Sequence, residues 1–251
     1  VALRGFEWSH PLAGHINVLN TGRFTTSGVG VPTLPAFYRW LDRHDGLAQF
    51  NHPGREPRLF DDFAFEPAVA DNIFAIETGN KGTGNNDGEY LAYYPQALAN
   101  GWTLAPTNNQ DNHSLTTNSH RTVIIAPELS RPALLEALKQ RRVYATDDPN
   151  IQVAFKHRDR WMGAVIDADG PLLTFTVEIW DDEPIRSVTL FHNGQPLTGL
   201  APEAATHQLD WRPEVQATPG YYFLQVVSGN PLDPDDGHAA QIAVTAPIWV
   251  R

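Results

Sequence analysis

The sequence predicts an α/β domain with a largely parallel sheet, followed by an antiparallel β-sandwich. Two observations carry this expectation. Over residues 1–150, short apolar runs alternate with helical stretches of ten or more residues, which is the signature of βαβ units. From Ile151 onward the pattern changes to period two with turn signals between the runs and no helical stretch. The change falls at Asp147-Asp148-Pro149-Asn150, so the expected domains are 1–148 and 149–251.

In chain order, VALRGF reads as a first strand with Glu7 directly after it, and His15 to Asn20 (HINVLN) as a second with a histidine at its start. Pro32 to His44 reads as a helix: Thr33 is placed to cap it, Pro35 sits in the first turn and Gly46 follows its end. Phe37, Trp40 and Leu41 give that helix an apolar face. LAQFN then runs into His52-Pro53-Gly54-Arg55, and IFAI precedes Glu77. The loop from Thr78 to Gly88 is rich in Gly and Asn, contains neither GxGxxG nor GxxxxGK, and is expected to form a rim over a site. A helix over about Glu89 to Asn100 is stopped by Gly101. The run WTLAP breaks into a polar turn presenting Asp111 and His113. TVIIAP, a helix from Ser130 to about Gln140, and RVYAT close the series. Beyond it, IQVAF, LLTFTVEIW, SVTLFHNG, YYFLQVV and QIAVTAPIWV predict six to eight strands, with turns at Asn193-Gly194 and Pro219-Gly220.

Composition narrows the function classes. The chain has 251 residues, 41% of them apolar, and a net charge of −11. That balance, with Arg141-Arg142 as the one basic doublet, argues against a nucleic-acid or anionic-membrane surface, which requires clustered Lys and Arg. No apolar run approaches the 18 or so residues of a membrane helix. The absence of cysteine excludes disulfides, thiolate zinc sites and a cysteine nucleophile.

In a parallel α/β fold the reactive groups gather at the C-terminal ends of the strands. Glu7, His52, Glu77 and the Asp111/His113 pair each follow a predicted strand, so they are expected on one rim. Residues two apart in an extended chain point to the same side, so Asp-x-His can present a carboxylate and an imidazole to one cation. The metal-ligand candidates are Glu7, His15, His52, Asp111 and His113, and mixed nitrogen and oxygen donors suit Zn²⁺, Mn²⁺ or Fe²⁺. Arg55 and Arg121 are the candidates for holding a substrate anion or pairing with a ligand carboxylate. Glu77 stands equally as a ligand or as an acceptor for loop amides. His10 reads as a loop histidine, and His44 as one that complements a helix C-terminus.

Taken together, FEW followed by GHINVLNT, QFNHPGR, IETGN, NNQDNHS, RRVYATDDPNI and the closing APIWV resemble the later motifs of the PHP superfamily of metallohydrolases, in its carbaryl-hydrolase-like branch. The resemblance spans essentially the whole chain. It implies the C-terminal part of a distorted (β/α)7 barrel, two or three divalent transition metals, and a metal-bound hydroxide attacking a phosphoester or a carboxyl or carbamate ester of a small-molecule substrate. Carried over by position, Glu7 is the carboxylate after the first motifs, His15 the histidine of the G-H pair, His52 that of H-P, and Asp111 with His113 the closing D-x-H. The family's early H-x-H and its later T-D-H-like histidine have no counterpart here. The chain is therefore expected to be the C-terminal piece of a longer protein, with an upstream segment or a second chain completing the site. The alternative is a carbohydrate-binding sandwich using Trp161, Trp180, Trp211 and Tyr221.

Overall fold

The computed structural model describes residues 1–28, 30–80, 90–113, 119–229 and 240–251. The expected rim loop therefore lies mostly outside the described residues. The chain is 41% strand and 14% helix, with four α-helices among the described residues.

The N-terminal sheet has five strands in sequence order, β1 (Gly5–His10), β2 (Gly14–Leu19), β3 (Leu47–Asn51), β4 (Ile73–Asn80) and β5 (Ala105–Asn109). β1–β2 and β2–β3 pair antiparallel, and only β3–β4 and β4–β5 pair parallel. This corrects the expectation of a (β/α)7 barrel. A parallel neighbour needs a crossover of a dozen or more residues. Residues 11–13 can only turn the chain back on itself, so β1 and β2 form a hairpin. Glu7 consequently lies within β1, opposite Asn17, and does not follow a strand.

The meander has two unlike faces. Trp8, Ile16 and Phe50 stand side by side in register, all fully buried, against Phe37 of α1 (Leu34–Asp42) and the rings of Phe60, Phe63 and Trp102. The opposite face carries Glu7–Asn17–Gln49 and Ser9–His15–Asn51 in the next two rows. Thr33 caps α1 by accepting from the Ala36 amide at 3.3 Å, as its sequence signal predicts.

The link from β3 to β4 contains α2 (Phe60–Phe63), whose four residues all have φ between 51° and 60°. Left-handed backbone costs roughly 1–2 kcal/mol per L-residue. The compensation is burial of both phenylalanine rings, each worth about 1.5–3 kcal/mol. Gly14 makes room for one of them, since a Cβ there would sit 2.4 Å from Phe60.

α3 (Tyr93–Ala99) joins β4 to β5. β6 (Arg121–Ile124) and β7 (Val143–Thr146) flank α4 (Arg131–Lys139), which Ser130 caps, and pair antiparallel with each other. They extend the large C-terminal sheet through pairing of β7 with Gln241–Thr245, so one hydrogen-bonded sheet spans the division expected at residue 148. From Gln152 on, pairing among the described residues is antiparallel except between Val165–Ile166 and Ile248–Val250. Val153, Phe155, Val177 and Ile179 of a four-stranded sheet share one core with Val188, Leu190, Tyr222, Leu224 and Val226 of the large sheet. No helix among the described residues is long and apolar enough to cross a membrane.

Candidate metal centre

The polar face of the N-terminal sheet gathers Glu7 from β1, His15 from β2 and His52 just past β3. Glu7 Oε1 lies 3.4 Å from His15 Nδ1 and 3.8 Å from His52 Nε2, and the two imidazole rings meet edge to face at 4.8 Å. One ligand atom from each of the three falls within 4.8 Å of the others. Two donors about 2.1 Å from one tetrahedral ion are about 3.4 Å apart, so these spacings fit a shared cation.

The supports of the trio are as informative as its members. Asn51 Nδ2 donates to Glu7 Oε1 at 2.8 Å, and Ser9 Oγ donates to Oε2 at 3.1 Å. Behind Asn51, Gln49 Nε2 donates to Asn51 Oδ1 at 3.0 Å, and Thr107 Oγ1 donates to Gln49 Oε1 at 3.4 Å. This chain of donors has one direction, so the Asn51 amide NH₂ always faces Glu7. The His15 and His52 rings, with Asn51, hold the Glu7 carboxyl well below the usual carboxylate range against the opposing effect of burial.

His52 decides what the cluster is fit for. It is 2% exposed, with positive φ; neither ring nitrogen makes a hydrogen bond, and Nε2 meets Glu7 Oε1 only at 3.8 Å, too far for one. An unpaired buried polar group costs about 1–3 kcal/mol. A cation between His52 and Glu7 would relieve that cost, and an ordinary core histidine has no reason to incur it.

No family model matches the chain, and no curated protein matches it.

The remaining expected residues fall elsewhere. Glu77, in the middle of β4 and 1% exposed, accepts the His52 backbone N–H at 2.6 Å and Asn80 Nδ2 at 2.8 Å on Oε2, and Asn109 Nδ2 at 2.8 Å on Oε1. Burial pushes its pKa up to about 7, with these three donors pulling the other way and Asp111 adding to the rise. Glu77 thus holds the loop that carries His52. Asp111 and His113 pair with each other at 3.0 Å, and Arg55 Nη2 reaches Asp111 Oδ2 at 3.1 Å and Asn80 Oδ1 at 3.4 Å. They do not join the Glu7 trio, and the His113 side chain is 78% exposed. Arg121 donates to the His120 carbonyl at 2.8 Å. His10 accepts the Leu12 and Ala13 amides in the β1–β2 turn, and His44 stacks on Trp40. Sequence reasoning passed over Gln49, Asn51, Asn80 and Asn109. The available signal was polar residues two apart in otherwise apolar strands, as in LAQFN.

Proposed function

We propose that the chain carries part of the metal centre of a metal-dependent hydrolase acting on a small ester, either a phosphoester or a carboxyl or carbamate ester. The observation that carries this reading is the buried imidazole of His52, whose ring nitrogens make no hydrogen bond and whose Nε2 faces the ionised Glu7 carboxylate at 3.8 Å. The motif resemblance to the PHP superfamily points to the same class of chemistry.

Glu7, His15 and His52 would hold one divalent transition metal ion, and Asp111 with His113 are the donors for a further one. When bound, such ions supply Lewis acidity, polarising an ester oxygen and lowering the pKa of water to about 7. The protein's own residues do the rest. Asn51 and Ser9 fix the Glu7 carboxylate. Glu77 anchors the His52 turn through its backbone N–H. Arg55, its side chain 38% exposed, offers a guanidinium to an anionic group of the substrate. Among the described residues β1 has a strand neighbour on one side only, and that edge is where a further segment, of the same protein or a second chain, would pair and add ligands.

This reading is favoured over a carbohydrate-binding module. Tyr221 is buried, and the Lys156 ammonium sits 4.8 Å from the Trp161 ring centroid, over one of its faces. The test is hydrolysis of an aryl phosphate, an aryl acetate and an aryl carbamate by the complete polypeptide. The expected result is hydrolysis of one class, abolished by chelation, restored by Mn²⁺ or Zn²⁺, and lost in His52→Ala. Hydrolysis that survives both chelation and His52→Ala would refute it.

A further inference from the structure

The C-terminal half holds a second cluster of ligand atoms, built from oxygen alone. Asp148, Asp181 and Asp182 each offer a carboxylate oxygen, all within 4.8 Å of one another. The first follows β7, and the other two follow the strand Thr176–Trp180. Each buried member spends one oxygen on its own loop. Asp148 Oδ1 accepts the amides of Asn150 and Ile151 at 2.7 and 2.9 Å, and Asp181 Oδ1 accepts that of Glu183 at 3.0 Å. Asp148 Oδ2 accepts the Ser228 hydroxyl at 3.0 Å. Asp181 is 0% exposed, and its Oδ2 makes no hydrogen bond of regular geometry, although Ser228 and Asp148 lie beside the carboxyl. Asp182 is exposed and takes Asn150 Nδ2 at 2.8 Å. Among the described residues none of the three pairs with Lys, Arg or His.

Acidic side chains often gather on surfaces without a ligand, so a separate observation is needed, and Gln241 supplies it. It is 5% exposed, and its Oε1 has no donor. Gln241 stands directly opposite Ser228 in the strand ladder, and opposite residues share a face. Its amide therefore lies on the side where the Ser228 hydroxyl meets Asp148. Gly229, next to Ser228, leaves space there: a Cβ would come within 3.3 Å of Glu183 Oε2 and 3.4 Å of Gln241 Oε1.

We propose that Asp148, Asp181 and Asp182, with the unpartnered Gln241 amide oxygen on the Ser228 side of the sheet, form a site for a hard divalent cation, specifically Ca²⁺. Ca²⁺ takes six to eight oxygens at about 2.3–2.6 Å in flexible geometry, so two of its ligands stand at most about 5 Å apart, as these do. The lack of nitrogen and sulfur donors sets this site apart from the Glu7 centre and disfavours transition metals. A bound cation would offset the cost of holding these carboxylates close together and buried. The ion would tie the loop after β7 and the loop after Thr176–Trp180 to the end of the strand Gly220–Ser228, and so clamp the two C-terminal sheets together.

The experiment uses the whole chain stripped with chelator and titrated with Ca²⁺ by calorimetry, and with Tb³⁺ as a luminescent substitute. Trp180, adjacent to Asp181, serves as the sensitiser. The expected result is saturable Ca²⁺ binding that raises Tm, weakened about tenfold or more by Asp181→Asn, which removes one ligand charge. Asp182→Asn, at an exposed position that does not threaten folding, weakens it in the same direction. His15→Ala and His52→Ala leave it unchanged. No Ca²⁺ binding up to millimolar concentration, or equal binding by both Asp variants and the unaltered chain, would overturn the proposal. So would a higher Tm in ion-free Asp181→Asn with no change in Ca²⁺ response, which would mark a carboxyl pair sharing a proton.

Discussion

Glu77 makes the chain's stability depend on pH in a direction opposite to that of most carboxylates. Its native pKa is about 7, against 4.5 for an unperturbed glutamate. Between those values the native state holds a proton that the unfolded state has released. The group's contribution is thus fully present below pH 4.5 and is lost as pH rises through 7. Each tenfold difference in proton affinity between the two states is worth about 1.36 kcal/mol, so the loss between about pH 5 and pH 8 comes to roughly 2.5 kcal/mol. Glu77→Gln removes the titration. Like the protonated carboxyl, its side chain presents one donor group to Asn109 or to the His52 and Asn80 pair, so it stands in for the neutral form at every pH. The assay is urea unfolding of chelated protein across that pH range. The stability of the unaltered chain relative to Glu77→Gln should fall by roughly 2.5 kcal/mol between pH 5 and pH 8. Asp181 titrates in the same range in both proteins and cancels in the difference. Parallel pH profiles would refute the assignment of a buried, near-neutral carboxyl to Glu77.

Asn51→Leu, which breaks the donor chain to Glu7, should weaken transition-metal binding about 10–100-fold, as read by competition with a chromogenic chelator, and should lower Tm because buried Gln49 Nε2 loses its acceptor. Trp102→Ala should cost about 3–5 kcal/mol in urea unfolding, because Trp102 is 1% exposed among Phe50, Phe65 and Tyr38. Thr33→Ala should cost about 1 kcal/mol, recovered largely by Thr33→Asn or Thr33→Asp. Gly163→Ala should prevent a native fold, since a Cβ there would meet the backbone carbonyl of Gln140 at 2.0 Å; a native circular-dichroism melt would contradict this.

Much of the local structure was legible because the signals are chemical. Thr33 and Ser130 cap their helices, and Asn193-Gly194 forms a hairpin turn with both residues at positive φ, joining Ser187–His192 to Gln195–Leu200. Strand direction was not legible in the same way. Alternation of helix and strand does not by itself say which neighbours pair, and the decisive clue was the short 11–13 connection, which forbids a parallel crossover. The same slip placed Glu7 after a strand when it lies inside one. The spatial meeting of Glu7, His15 and His52 follows from β1–β2–β3 register together with the turn after β3, which the order of the motifs anticipated. The separation of Asp111 and His113 from that trio was not foreseeable. It depends on Arg55 holding Asp111 and on the left-handed φ of Asp111, neither of which has a sequence signature.

The central claim is that Glu7, His15 and His52 hold a metal ion, and the most direct measurement is crystallography of Zn²⁺-soaked or Mn²⁺-soaked protein with anomalous data at the metal edge. The expected result is an anomalous peak on the polar face of the N-terminal sheet, about 2.0–2.2 Å from Glu7 Oε1, His15 Nδ1 and His52 Nε2 for zinc, and its disappearance in His52→Ala. No peak at that position under saturating metal, with the His52 nitrogens still unpaired, would contradict it.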